Sequence, residues 1–141
     1  GPRQIAQGEA GVVSIFVAKL PQDSAPTIYA YPDDPEGMIR DYVYVKDVVR
    51  ANLAVLDRGS NEVFNIGTCE ETTTSQLYKT ILWQLGKKIQ PLKGPARKGD
   101  LRRSMLDNSK AFKELGWSPI YPLEDGIRET VTWFKARKEK S

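Results

Sequence analysis

Residues 39–52 constrain the fold more than any other part of the chain, because a strand-like alternation there runs directly into an amphipathic helix. Valines alternate with tyrosines over residues 42–45, which predicts a strand, and Asp47 follows as a candidate helix cap. The predicted helix then carries its apolar residues at helical spacing up to Gly59. Arg40 precedes the strand at the end of a turn-rich loop, and a guanidinium at that place indicates an anion site.

The remainder of the chain continues this alternation and predicts an α/β fold. Apolar residues at helical spacing indicate each helix, with Pro21 ending the first helix and a glycine ending two later ones. Thr73 and Gln76 form a capping box, and Pro122 suits the first position of the last helix. The predicted helices cover residues 12–20, 47–58, 73–85, 109–115 and 122 onward. The predicted strands cover residues 27–29, 42–45 and 62–66, with a further candidate strand over residues 89–92.

Length and composition fit a single domain. For a chain of 141 residues, folding should bury about two-thirds of the surface of the unfolded chain, which is enough for an independent core. The apolar residues form no run approaching the ~20 that a membrane span needs. The polar opening of the chain lacks the basic and apolar pattern of a secretory signal. We therefore expect one domain over residues 1–141, no membrane contact and a cytoplasmic location.

The cysteine and histidine content excludes several kinds of chemistry. Cys69 is the single cysteine, and the chain contains no histidine. Intrachain disulfides, zinc sites built from cysteine and histidine, and a Ser-His-Asp triad are therefore excluded. We expect no metal site, and much hydrolytic chemistry is ruled out by the same count.

Two short motifs match catalytic or cofactor patterns in spacing alone. Tyr42 and Lys46 have the Tyr-x-x-x-Lys spacing by which some dehydrogenases pair a catalytic tyrosine with a lysine. Residues four apart stack within about 5–6 Å on a helix, whereas a strand separates them by about 13 Å, so the predicted strand argues against catalysis. Gly8 and Gly11 begin a glycine pattern, but the third glycine and the preceding strand of a dinucleotide fingerprint are missing. We assign no catalytic residue and no NAD site to this chain.

The remaining features point to anion binding. Residues 87–103 contain seven lysines and arginines and a single acidic residue, Asp100. Arg97 and Asp100 bracket a glycine, so a tight turn would place a cation and a carboxylate close together. A nucleoside diphosphate offers the matching groups, phosphate oxygens for an arginine fork and ribose hydroxyls for a carboxylate. A solvated basic loop is the alternative.

Eight short motifs follow one another along essentially all of the chain. They are GPRQ (1–4), GEAGVVSIF (8–16), TIY (27–29), RDYVYV (40–45), VFNIG (63–67), RKGD (97–100), DNSKA (107–111) and LGW (115–117). In this order they resemble UDP-glucose 4-epimerase-like proteins, which are NAD-dependent epimerases and dehydratases of the extended short-chain dehydrogenase/reductase family. The resemblance is to the C-terminal portion of such an enzyme, beginning just after the catalytic tyrosine–lysine helix.

The resemblance implies a set of residues that would hold a nucleotide sugar such as UDP-glucose or UDP-galactose. These are Thr27, Ile28 and Tyr29 along the base, Arg40 at the diphosphate, Arg97 and Asp100 at phosphate and ribose, and Val12 and Val13 along the same cleft. The loop that leads to Arg40 departs from the family pattern. It carries AYPDDP (30–35) where a shorter Gly-Asp-Gly-type turn is common.

The resemblance also implies that the N-terminal Rossmann half, which binds NAD in the parent family, is absent from this chain. The predicted strands 42–45 and 62–66 would join a Rossmann-type sheet in the intact enzyme, so sheet edges and apolar helix faces would be uncovered. We expect self-association, or a partner that supplies the missing half. The chain would then be the nucleotide-sugar-binding portion of an epimerase/dehydratase, inactive alone, with no cofactor of its own and no nucleic acid partner. The alternative is a non-catalytic binding or assembly module whose basic loop meets a protein or nucleic acid.

Overall fold

Five helices and five short strands alternate along the part of the chain, residues 1–4 and 11–138, that the computed structural model describes. The helices are α1 (Val12–Lys19), α2 (Val45–Asp57), α3 (Thr74–Leu85), α4 (Ser109–Leu115) and α5 (Leu123–Lys138). The strands are β1 (Thr27–Ala30), β2 (Ile39–Arg40), β3 (Thr72–Thr73), β4 (Leu92–Pro95) and β5 (Arg103–Ser104). A 3₁₀ turn over Leu20–Gln22 follows α1. The predicted α/β class is confirmed.

Two small sheets bring distant parts of the chain together. In the first sheet β1 lies parallel to β4, with Thr27 opposite Leu92 and Ala30 opposite Pro95. In the second sheet β2 lies between β3, which runs antiparallel to it, and β5, which runs parallel to it. Parallel neighbours require a crossover connection. The N-terminal and C-terminal halves of the chain therefore meet beside β1 and β2.

The main core lies between α1, α3 and α5 and against one side of β1. The rings of Phe16 and Tyr78 meet edge to face at its centre, with centroids 5.3 Å apart. Burial of this apolar surface stabilises the fold more than the strands do, because strands this short are marginal without packing. The buried cluster consists of Phe16, Val17, Leu20, Ile28, Leu77, Tyr78, Ile81, Ile127 and Val131. A second cluster, of Ala51, Ala111, Leu115 and Trp117, joins α2 to α4.

The two ends of α3 and the C-terminal end of α4 follow the predicted local rules. Thr73 Oγ1 accepts a hydrogen bond from the Gln76 backbone N–H at 3.1 Å, and the Gln76 side chain accepts one from the Thr73 N–H at 2.8 Å. This is the predicted capping box. Gly86 ends α3 with a φ of 66°, in the left-handed region that favours glycine. Gly116 ends α4 in the same conformation, whereas Pro122, predicted as the first residue of the last helix, lies one residue before α5.

The strand predicted over residues 42–45 is wrong. The strand there, β2, is limited to Ile39–Arg40, and α2 already begins at Val45. The cap prediction is also wrong, because Tyr44 precedes the first turn and Asp47 lies buried within it. Tyr42 packs against the first cluster and Val43 against the second. The side chains therefore alternate in direction, although no strand of the described chain pairs with these residues.

Two further strand predictions, at residues 62–66 and 89–92, also need correction. Residues 62–66 do alternate, since Phe64 and Ile66 pack against the second cluster while Val63 is 84% exposed. They form no strand because none of the described strands lies alongside to complete a ladder. The candidate strand 89–92 is displaced to Leu92–Pro95, where the backbone pairs with β1.

Helix α2 leaves much of its apolar surface uncovered. Val49 is 49% exposed, Leu53 is 59% exposed and Leu56 is 78% exposed. Because these residues recur at helical spacing, they form one continuous face. The expected exposed apolar helix face is therefore present on α2.

The glycine pattern at the start of the chain is described only in part. Gly11 directly precedes α1, whereas Gly8 and the rest of residues 5–10 lie outside the described residues. Within the described ranges, every helix is too short or too polar to cross a membrane.

Candidate functional site

A cavity of about 350 Å³ opens between α1, β1 and the loop that follows β4. One wall is a single face of α1, because its lining residues recur three and four positions apart. A second wall comes from alternate residues of β1, and the loop after β4 and the end of β2 close the cavity. The lining residues are Val12, Ile15, Phe16, Lys19, Thr27, Tyr29, Met38, Arg40, Tyr42, Thr74, Arg97 and Asp100.

Six of the eight predicted binding residues line this cavity, and two do not. The six are Val12, Thr27, Tyr29, Arg40, Arg97 and Asp100. Ile28 is 1% exposed and packs in the core on the opposite side of β1, because successive strand residues face opposite ways. Val13 lines a separate cavity of about 60 Å³ beside α5, because the next residue along a helix turns away from Val12.

Arg97 and Asp100 belong to one tight turn. The Asp100 N–H donates to the Arg97 carbonyl oxygen at 3.1 Å, and the Arg97 N–H donates to Asp100 Oδ2 at 3.1 Å. Gly99 takes a φ of 89°, which a side chain would strain. The Arg97 guanidinium lies over the Tyr29 ring, with Cζ 4.4 Å from the ring centroid. The predicted tight turn is present, and the Tyr29 ring orients the Arg97 guanidinium.

Arg40 is held at the other side of the cavity by backbone groups. Its Nη1 donates to the carbonyl oxygens of Ile39 and Leu101, each at 2.7 Å. The carboxylate of Asp41 is engaged elsewhere, since it accepts hydrogen bonds from the N–H and the hydroxyl of Thr68 at 2.7 and 2.6 Å. Arg40 therefore does not form a surface ion pair with its neighbour, and the rest of its fork can meet an anion in the cavity.

Sequence reasoning missed half of the lining residues. Ile15, Phe16 and Lys19 lie three, four and seven positions after Val12, so helical spacing could have identified them. Met38, Tyr42 and Thr74 carry no comparable local signal, because their positions depend on sheet pairing and helix packing. Lys19 adds a third cation to the lining of the cavity, beside the two predicted arginines.

Tyr42 and Lys46, which match a catalytic pair in spacing, have different environments. Burial raises the pKa of Tyr42 to about 12, with the charge of Arg40 acting weakly in the opposite direction. A catalytic phenol needs the reverse shift. Lys46 Nζ lies 2.6 Å from Glu129 Oε2 and 5.6 Å from the centroid of the Tyr121 ring. The charge of Lys46 is therefore directed to Glu129 on α5.

Several of the basic side chains of residues 87–103 form contacts within the chain. Lys87 pairs with Asp23 at 2.5 Å, and Arg102 pairs with Asp33 at 3.0 Å. Arg103 pairs with Glu71, and Lys93 Nζ donates to the Pro35 carbonyl oxygen at 3.0 Å. A surface that binds phosphate backbones needs a stripe of available cations, so this pairing disfavours the nucleic acid alternative.

A larger open groove of about 540 Å³ lies on the other side of Tyr42. Its described lining contains one cation, Lys79, and three carboxylates, those of Glu70, Glu71 and Glu124. This excess of negative charge makes it a poor site for a diphosphate. Among residues 1–4 and 11–138, no three acidic or cysteine side chains converge as metal ligands.

Three known proteins match nearly all of the chain. The UDP-glucose 4-epimerase of Mycolicibacterium smegmatis is 42% identical over 140 residues, which are 99% of this chain and 44% of that protein. The crystal structure of Thermotoga maritima UDP-glucose 4-epimerase with UDP-glucose has a TM-score of 0.91 and 47% identity, covering 98% of this chain and 43% of that one. The Thermus thermophilus UDP-glucose 4-epimerase complex with NAD has a TM-score of 0.84 and 40% identity, covering 96% and 43%. The chain thus spans less than half the length of these relatives.

The fold is that of the C-terminal portion of an extended short-chain dehydrogenase/reductase. The sequence model of the GDP-mannose 4,6-dehydratase family matches residues 1–130. The chain belongs to that family, and within it the chain resembles the UDP-glucose 4-epimerases. The predicted resemblance is confirmed.

Proposed function

We propose that the cavity beside α1 and β1 binds the nucleoside diphosphate of a nucleotide sugar such as UDP-glucose or UDP-galactose. The chain would be the substrate-binding portion of an NAD-dependent epimerase/dehydratase, most like UDP-glucose 4-epimerase. The observation that supports this most directly is the convergence of Arg40, Arg97 and Asp100 on one cavity. The similarity to an epimerase solved with UDP-glucose supports the same substrate class.

The charges of the cavity suit a diphosphate attached to a ribose. Arg40 and Arg97 supply two guanidinium groups, which bind phosphate oxygens through parallel hydrogen bonds. One oxygen of Asp100 accepts the Arg97 N–H, and the other can accept a hydrogen bond from a ribose hydroxyl. A volume of about 350 Å³ lies within the usual range for small-molecule sites.

The base would lie along β1. Thr27 and Tyr29 face the cavity, whereas the side chain of Ile28 does not. Because β1 pairs only with β4 among the described strands, its other edge keeps backbone donors and acceptors that a base can use. In this arrangement Ile28 contributes backbone groups only, and Val13 contributes nothing to the cavity directly.

The described residues do not fit NAD. A dinucleotide site needs a strand, a glycine turn and a helix whose first amides face the pyrophosphate. No described strand precedes α1, and α2 carries the buried carboxylate of Asp47 in its first turn. The first amides of α3 are occupied, since Thr74 and Ser75 donate to the carbonyl oxygens of Met38 and Glu36 at 3.0 Å. The function proposed for this chain is therefore substrate binding alone.

The exposed face of α2 would be the surface that meets the NAD-binding half or a second copy of the chain. Val49, Leu53 and Leu56 are each about half exposed or more, and an apolar face of this kind is rarely left in water. On this proposal residues 1–141 act as one nucleotide-sugar-binding domain, and turnover requires the part of the family fold that carries the cofactor.

Calorimetric titration tests the proposal. The chain would be titrated with UDP-glucose, UDP and dTDP, with NAD as the control ligand. We expect saturable binding of a nucleoside diphosphate and no heat of binding with NAD. Binding to a diphosphate pocket should weaken modestly with added salt, whereas binding to a nucleic acid backbone falls steeply. Absence of binding to all three nucleotides would overturn the proposal.

A further inference from the structure

We infer that Tyr31, Asp33 and Arg102 form a clamp that positions the nucleotide-binding turn of residues 97–100. This inference rests on the function proposed for the cavity. None of the three clamp residues lines the cavity, so they act through Arg97 and Asp100 rather than by touching the ligand. Tyr31 is the central member, because it contacts both the turn and Arg102.

The clamp is defined by three contacts. The Tyr31 hydroxyl donates to the Asp100 carbonyl oxygen at 2.9 Å. The guanidinium of Arg102 lies over the Tyr31 ring, with Cζ 3.9 Å from the centroid. Arg102 also forms a bidentate pair with Asp33, with Nη1 and Nη2 at 3.1 and 3.0 Å from the two carboxylate oxygens. The loop is therefore fastened to the segment after β1 on both sides of Leu101.

These contacts lie directly behind the binding groups. Asp100 is bonded to Arg97 within the turn, and Leu101, the next residue, accepts the hydrogen bond from Arg40. A shift of the turn would therefore move both arginines and the carboxylate of the cavity together. A displacement of about 1 Å is enough to spoil such a site.

The clamp comes from the segment that directly follows β1. Tyr31 and Asp33 belong to residues 30–35, which read AYPDDP. The Asp34 N–H donates a hydrogen bond to the Tyr31 carbonyl oxygen at 3.0 Å, so the segment forms a tight turn. Tyr29 and Tyr31 are two residues apart, and each carries one arginine of the loop on its ring. The segment thus adds a second tyrosine–arginine stack beside the one in the cavity.

A simple surface ion pair would have a different effect. The side chains of Arg102 and Asp33 are 49% and 70% exposed, and exposed pairs contribute little to stability. If the clamp were only such a pair, its loss would change neither the turn nor the affinity for a nucleotide. A positioning role predicts that affinity changes while global stability hardly does.

The test compares Tyr31→Phe with Tyr78→Phe in the 141-residue chain. Both substitutions remove one hydroxyl that donates to a carbonyl oxygen at 2.9 Å, but the Tyr78 hydroxyl bonds Ile89, and Tyr78 does not line the cavity. We expect Tyr31→Phe to weaken UDP binding about fivefold, the usual range for one hydrogen bond, and Tyr78→Phe to leave it unchanged. In an Arg97→Ala background the effect of Tyr31→Phe should be smaller than in the wild-type chain, because one of the binding groups that the clamp positions is gone.

Amide hydrogen exchange decides the inference independently of ligand. The N–H groups of Arg97 and Asp100 donate within the turn, so their exchange reports its order. We expect faster exchange at these amides in Tyr31→Phe and no change there in Tyr78→Phe. Unchanged exchange and affinity in Tyr31→Phe would overturn the clamp even if the wild-type chain binds UDP. Faster exchange with no UDP binding by the wild-type chain would overturn the proposed function and, with it, the positioning role.

Discussion

The buried carboxylate of Asp47 accepts the backbone N–H of Ile120 through both of its oxygens, at 3.1 and 3.2 Å. It also accepts the N–H of Tyr121 at 3.1 Å and pairs with Arg50 at 2.9 Å. The Trp117 indole N–H donates to the Asp47 carbonyl oxygen at 2.9 Å. One residue in the first turn of α2 therefore holds the whole segment that leads into α5.

Substitution of Asp47 should destabilise the chain strongly. Asp47→Asn replaces one acceptor oxygen by an amide that faces N–H donors, and a hydrogen bond to a charged group lost in a buried site costs about 3 kcal/mol. We expect the free energy of unfolding, measured by urea denaturation, to fall by about that amount. Asp57→Asn is the matched control, because Asp57 is exposed at the end of the same helix. A loss equal to that of the control would contradict the anchoring role of Asp47.

Truncation of the cavity arginines should weaken nucleotide binding. Arg97→Ala and Arg40→Ala each remove a charge-assisted contact, worth about 1.5–3 kcal/mol, and Arg40→Ala also releases the Leu101 carbonyl oxygen. We expect the dissociation constant for UDP, measured by calorimetry, to rise by about tenfold to a hundredfold. Arg97→Lys should recover part of the loss, since it keeps the charge without the planar fork.

The control for the arginine variants is Arg128→Ala. Arg128 pairs with Asp125 on the surface of α5 at 2.8 Å, so its removal lowers the net charge equally without touching the cavity. UDP affinity in this variant should match that of the wild-type chain. An Arg40→Ala variant with wild-type affinity would remove Arg40 from the site.

The stability of the chain should fall at alkaline pH because of Tyr42. Burial raises its pKa to about 12 in the folded chain, whereas an unfolded chain ionises near pH ~10. The stabilisation is therefore complete below pH ~10 and is lost as the pH rises from there toward about 12. Burial also raises the pKa of Tyr44 and Tyr78, so Tyr42→Phe should reduce the pH dependence without abolishing it. Urea denaturation at pH values on both sides of ~10 measures the pH dependence of the free energy of unfolding. Identical pH profiles for the wild-type and Tyr42→Phe chains would refute the prediction.

The exposed face of α2 should drive self-association in the absence of a partner. Leu53 is 59% exposed at the centre of this face, and Leu53→Glu would place a charge there. We expect the average mass in sedimentation equilibrium to rise with concentration for the wild-type chain and much less for the variant. Asn52→Glu, at an exposed neighbouring position, is the control for added charge. A monodisperse wild-type monomer across a wide concentration range would rule out this role.

Several features of the structure could be predicted from local sequence. The capping box of Thr73 and Gln76 and the glycine that ends α4 were identified correctly, because each depends on residues within one helical turn. The Arg97–Asp100 turn could be predicted for the same reason. Half of the cavity residues were predicted, Val12, Thr27 and Tyr29 among them only through the family resemblance, and Lys19 could have been added by counting helical positions from Val12.

The sequence by itself determined the helices, most of their ends and two of the three cations that line the cavity, since these depend on spacing along a few adjacent residues. Apart from β1, which was predicted at residues 27–29, tertiary structure decided which extended segments became strands. Residues 62–66 alternate correctly but lack a neighbouring strand, while β5 forms at Arg103–Ser104 only because β2 lies beside it. Tertiary structure also decided that the Tyr31 hydroxyl bonds to the turn at Asp100, 69 positions away. A ladder or a clamp requires hydrogen-bonding partners that are distant in sequence, and no local pattern specifies where folding will bring them together.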